Sequence, residues 1–62
     1  MPIVIVEQTA GGSSEQKRQV AEGITDAFVR AYGLTPEQVT IFFHDLERSD
    51  MAKGGVLYSD LA

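Results

Sequence analysis

The longest unbroken apolar run in the chain is Ile3-Val4-Ile5-Val6, and every residue in it is β-branched. Closed by Glu7-Gln8-Thr9, it predicts a strand buried on both faces. Ala10-Gly11-Gly12-Ser13 breaks the pattern. Ser13 and Gln16 then have the spacing of a capping box, and apolar residues follow at Val20, Ile24, Ala27, Phe28 and Ala31, on one face of a helix about five turns long. Lys17, Arg18, Gln19, Glu22, Asp26 and Arg30 fall mostly off that face, and Gly33 supplies the stop. Gly23 inside the helix costs about 1 kcal/mol relative to Ala. Thr35-Pro36-Glu37-Gln38 repeats the cap logic with Pro at the first helical position, but only a turn fits before a second strand, Val39 to Leu46.

Two strands joined through a helix of this length require a right-handed crossover, which lays them parallel in one sheet. The fold class expected is α+β, a β-α-β unit forming one domain over residues 1–62. One helix covers only one face of such a sheet. The other face carries groups from Ile3 to Val6 and from Val39 to Phe43, and its cover has to come from outside the chain. The remainder, Glu47 to Ala62, holds a loop, the pair Gly54-Gly55 and the apolar piece Val56-Leu57-Tyr58. It reads as an arm or hairpin reaching onto a neighbour.

Length sharpens that inference. At 62 residues the chain lies near the lower limit for independent folding, where disulfides, metals or self-association usually supply what a small core lacks. With no Cys, His44 as the one imidazole and no ligand-spaced cluster, self-association is the expected supplement, and neither a metal nor a cofactor is expected. The net charge of -4 and the scattered positions of Lys17, Arg18, Arg30, Arg48 and Lys53 argue against nucleic acid. No apolar stretch approaches the roughly 20 residues of a membrane helix, and no signal segment opens the chain, so a soluble, cytoplasmic protein is expected.

Familiar catalytic kits are missing. Nucleophilic Cys is absent, none of Ser13, Ser14, Ser49 and Ser59 sits in a Gly-x-Ser-x-Gly elbow, and Gly11-Gly12 is no phosphate loop. What remains is the amino terminus. Removal of Met1 before a small residue leaves Pro2 with a free secondary amine at the head of a strand. An α-amino group ordinarily titrates at about 7.7 to 8.0, and desolvation or a nearby cation lowers that toward neutrality, where a general base works best. The plain alternative is a proline that merely starts a strand.

The order of motifs adds weight to the first reading. Met-Pro-Ile, a strand, Gly-Gly-Ser-Ser-Glu-Gln-Lys at positions 11 to 17, a helix, the turn Leu34 to Val39, a second strand and a terminal Gly-Gly-Val-Leu-Tyr-Ser-Asp resemble the 4-oxalocrotonate tautomerase family over essentially the whole chain. The resemblance implies a four-stranded sheet in a dimer and a homohexamer built as a trimer of dimers. It also implies that Pro2 moves a proton beside a carbonyl of a small-molecule substrate while cationic side chains hold the substrate carboxylate. Two family arginines have no counterpart, since Gly12 precedes the first helix and Thr40 opens the second strand where those arginines stand. The aromatic residue that closes the family pocket falls on Met51. Substrate-binding candidates are therefore Arg48 in the loop before Met51, Met51 itself, Thr40, and His44 on the Thr40 face of the strand. For Arg48 the plain alternative is solvation, and for His44 a structural or interface role. Lys53 is a weaker candidate, and Asp45, Glu47 and Asp50 read as a solvated acidic loop. The expected activity is keto-enol tautomerisation of a small acid carrying fewer charges than the family's usual diacid. The alternative is a catalytically idle oligomeric scaffold or small-ligand binder on the same fold.

Overall fold

A computed structural model describes residues 1–61. Strand β1 (Ile3–Thr9) leads into helix α1 (Ser14–Tyr32), a short 3-10 turn over Pro36–Gln38, and strand β2 (Thr40–Leu46). A second 3-10 turn, Arg48–Asp50, is followed by the short strands β3 (Ala52–Lys53) and β4 (Val56–Leu57) and a third turn, Tyr58–Asp60. β1 and β2 pair in parallel from Ile3 opposite Thr40 to Thr9 opposite Leu46, as the crossover argument requires. β3 and β4 pair antiparallel across Gly54-Gly55, whose φ values of 61° and 82° are both positive. That tight hairpin turn suits glycine because residues with a side chain rarely adopt such positive φ.

The helix ends follow the sequence signals. Ser13 is the N-cap: its hydroxyl accepts from the Gln16 N–H at 3.1 Å, while the Gln16 side chain accepts from the Ser13 N–H at 3.0 Å. Gly33 closes the helix at φ 68°, donating its N–H to the Val29 carbonyl.

Three expectations change in the fold. β1 is not buried on both faces within one chain: Val4, Val6 and Gln8 are half-covered beneath α1, while Ile3, Ile5 and Glu7 lie open. A lone helix shields one side of a pleated pair, and alternation sends every second residue to the other. The covered helix stripe is Lys17, Ala21, Ile24, Thr25, Phe28 and Val29, rotated from the expected one, so Val20, Ala27 and Ala31 are exposed on its flank. The helix is apolar over a wider arc than one two-stranded sheet can touch. The acidic group also separates. Asp45 turns toward α1 and binds Lys17 and, at 3.0 Å, the Gln8 amide, whereas Asp50 caps the Glu47 N–H at 3.0 Å. A smaller difference is that β2 opens at Thr40, since Val39 terminates the preceding turn.

No described residue is buried. The chain measures 45 × 24 × 14 Å with a radius of gyration of 15.2 Å, against about 11 Å for a compact domain of this length. Its accessible surface of 4712 Å² exceeds the roughly 3,900 Å² expected of a compact 6.7 kDa monomer. The excess of about 800 Å² equals one partner's share of a standard protein interface.

Replacing Ser13 by Ala removes one half of the capping box and should lower stability by about 1 kcal/mol in urea unfolding. Lys17 and the Gln8 amide hold the Asp45 carboxyl below its ordinary 3.8. A depressed carboxylate stabilises the fold above its unfolded value and loses that contribution as pH falls through the folded one. Unfolding midpoints should therefore drop as pH goes below about 4, and Asp45→Asn should flatten that part of the profile while lowering the midpoint at pH 7.

Candidate active site

Pro2 lies immediately ahead of β1 and is half-buried, whereas Met1 before it is 86% exposed. Pro2 joins the ladder through its carbonyl alone, which accepts the Thr40 N–H at 3.1 Å. Proline has no N–H to commit to a sheet, so its nitrogen is free of backbone duties once Met1 is removed. Thr40 therefore stands beside Pro2 at the common start of both strands, on the open face with Ile3 and Phe42.

The remaining candidates lie elsewhere. His44 is four residues along β2, roughly 13 Å from Thr40, and its Nδ1 lies 3.4 Å from Glu7 Oε1 on the neighbouring strand. Arg48 follows the far end of β2, whose seven residues span roughly 20 Å. Gly12 likewise follows the far end of β1, where an added Cβ would meet only the ends of the Gln8 and Gln16 side chains, at 3.9 and 4.0 Å. In a parallel pair both strands start together and finish together. Residues after either strand are thus delivered to the end opposite Pro2.

Arg48 and Met51 do come together, and Tyr58 is the reason. The Tyr58 N–H donates to the Met51 carbonyl at 2.8 Å, and the Tyr58 carbonyl accepts from Arg48 Nη2 at 2.8 Å. Two successive peptide groups, on either side of the Tyr58 Cα, thereby tie the Met51 main chain and the Arg48 side chain to the arm. A guanidinium has five N–H donors, so most of the Arg48 fork stays available to a carboxylate. In the sequence Tyr58 is only the end of the apolar piece Val56-Leu57-Tyr58, because main-chain contacts leave no trace in side-chain identity. The partnership of Glu7 with His44 was accessible in principle, from the register that sets Ile3 opposite Thr40.

Lys53 lies in the hairpin at β3 and is exposed. Among the described residues no group of three or more His, Asp or Glu side chains converges as metal ligands would. No helix among them is long and apolar enough to cross a membrane.

The tautomerase enzyme family profile matches residues 2–61, beginning at Pro2. The chain belongs to the tautomerase family. It is 37% identical over 60 residues to a probable tautomerase of Ralstonia nicotianae, covering 97% of this chain and 92% of that one. It is 31% identical over 61 residues to the 2-hydroxymuconate tautomerase of Bacillus subtilis, covering 98% of each. Among solved structures, a 4-oxalocrotonate tautomerase homologue superposes with a TM-score of 0.88 at 31% identity, covering 100% of this chain and 98% of that chain. The parallel strand pair crossed by one helix is thus the tautomerase fold.

Proposed function

We propose that this tautomerase-family chain is a proline-dependent tautomerase that moves a proton between carbon and oxygen positions of a small keto-enol or unsaturated acid. The observation that carries the reading is the position of Pro2. It heads β1 at the first residue of the family match, with a nitrogen that takes no part in the sheet. Freed of Met1, that amine has a lone pair to accept a proton beside the substrate carbonyl and to return it elsewhere.

The rest of the pocket is proposed to come from association. Arg48 and Met51 are carried to the end of the sheet opposite Pro2, so one chain does not bring base and carboxylate holder together. Copies arranged as a homohexamer, a trimer of dimers, would bring an arm from one chain to the Pro2 end of another. The surface left open by a single chain supports such an arrangement.

Substrate charge follows from the two positions, Thr40 and Gly12, at which the resembling family carries arginines. Thr40 offers a hydroxyl at the Pro2 end, and Gly12 offers no side chain at all. Neither provides the cationic fork that holds a second carboxylate. Arg48 is the proposed holder of a single carboxylate, with Met51 beside it as apolar wall.

Kinetics on fully processed protein test the base. Chains retaining Met1 carry an amide nitrogen at Pro2, which is not basic, and should lose proton transfer almost completely, whereas Pro2→Ala should keep residual activity through its primary amine. Equal rates with and without Met1 would remove Pro2 from the mechanism and favour a ligand-binding scaffold.

A monoacid and a diacid assayed side by side test the charge reading. A charge-assisted hydrogen bond contributes about 1.5 to 3 kcal/mol, so Arg48→Ala should lower kcat/KM for the monoacid by at least about tenfold. The diacid should gain nothing from its second carboxylate. A preference for the diacid, with Arg48→Ala silent, would show that another group holds the charge.

A further inference from the structure

The sheet face that α1 leaves open is apolar with one exception. Ile3, Ile5 and Phe42 are 66%, 59% and 50% exposed on it, and Thr40 is uncharged. The exception is Glu7 opposite His44, with Nδ1 and Oε1 3.4 Å apart. Beyond them, the next pair in register, Thr9 and Leu46, carries no charge, and Glu47 follows only after the strand has ended. Lys17 and Asp45, the charged groups between sheet and helix, lie on the other side of the sheet and satisfy each other. Among the described residues, His44 therefore faces one charged group, the Glu7 carboxylate.

A second copy is the occupant that fits this face. The accessible surface exceeds that of a compact monomer by about one partner's share of a standard interface. A face of Ile, Phe and Thr is also complementary to itself, as a twofold contact demands. We infer that the open sheet face is a copy-to-copy interface that encloses Glu7 and His44, so that assembly takes up a proton at each pair. The inference rests on the self-association proposed above.

The direction follows from charge. With neutral imidazole, closing the interface encloses an uncompensated carboxylate in each chain, and a second copy brings another of the same sign. Enclosing unpaired charge is costly, whereas an imidazolium beside Glu7 leaves the pair neutral. Histidine is the side chain that ordinarily changes charge between pH 5 and 8. Assembly should therefore tighten as pH falls through that range and weaken again once carboxylates protonate, below about pH 4.

Sedimentation velocity on the full chain, over a dilution series at pH 6, 7 and 8 and constant ionic strength, reads this out. The dissociation constant should fall at least about tenfold from pH 8 to pH 6. His44→Gln should abolish the dependence. Glu7→Gln should reverse it, because protonation would then enclose an unpaired cation. The double variant should associate equally at all three values. Wild-type association that is the same at pH 6 and 8, or a slope retained in both single variants, would overturn the proposal while leaving assembly intact. A chain that stays monomeric at every pH and concentration would overturn the assembly itself, and the proposal with it. A catalytic failure of Pro2 would leave these measurements unaffected, so the two readings fail separately.

Discussion

A two-stranded parallel sheet has two faces and one helix to cover them, and most of this protein's features follow from that imbalance. Alternation along β1 and β2 puts half of their side chains under α1 and the other half into solvent. The consequence is that no described residue is buried, although 44% of the sequence is apolar. Hydrophobic stabilisation scales with area removed from water, so a chain this open leaves much of its potential stabilisation unused until something docks on it. Neither end of the arrangement is loose in a local sense. Both helix termini are capped, the hairpin has the glycines its turn demands, and the strand register is continuous over seven residues. Local order is complete while tertiary burial is not, the state expected of a subunit rather than of a finished domain.

The same geometry separates the candidate site residues into two places. Parallel strands carry Pro2 and Thr40 to one end of the sheet and release the Arg48 to Met51 segment at the other. In an antiparallel hairpin the residues before the first strand and after the second would be neighbours. Here the crossover through α1 forbids it. The terminal arm has its own internal logic, since the Tyr58 N–H binds the Met51 carbonyl while the Tyr58 carbonyl accepts from the Arg48 guanidinium. That arm therefore holds Arg48 and the Met51 main chain together. Charge is placed with similar economy. Lys17, Asp45 and Gln8 tie the start of α1 to the end of the sheet on the covered face, leaving Glu7 and His44 as the charged groups of the open one among the described residues.

Much of this was legible in the residues themselves. The β-branched run predicted β1, the box from Ser13 to Gln16 and the stop at Gly33 marked α1, and the crossover rule made the strands parallel. Those features depend on near neighbours along the chain, so periodicity and capping chemistry report them. Pro2 stood out because its chemistry arises from being next to the terminus, a fact of sequence position. The need for cover over one sheet face followed from counting layers. Even the two absent arginines, at Gly12 and Thr40, could be noticed without coordinates because they are matters of residue identity.

What only the tertiary structure decided concerns orientation and distance. Whether the stripe under the sheet runs through Val20, Ala27 and Ala31 or through Ala21, Thr25 and Val29 depends on how α1 rolls on its support. An apolar arc wider than the sheet leaves several rotations compatible with the sequence. That Asp45 leaves the acidic loop to meet Lys17, 28 positions away, depends on helix and strand lying side by side. The pairing of Glu7 with His44, 37 positions apart, depends on register between strands. Tyr58 acts through its backbone N–H and C=O, which every residue but proline possesses, so no choice of side chain announces it. Sequence by itself determined the elements and their order, and singled out Pro2 as the candidate base. Through-space contacts decided which side chains share a face and which candidates are kept apart, because those depend on packing between segments that no local pattern encodes.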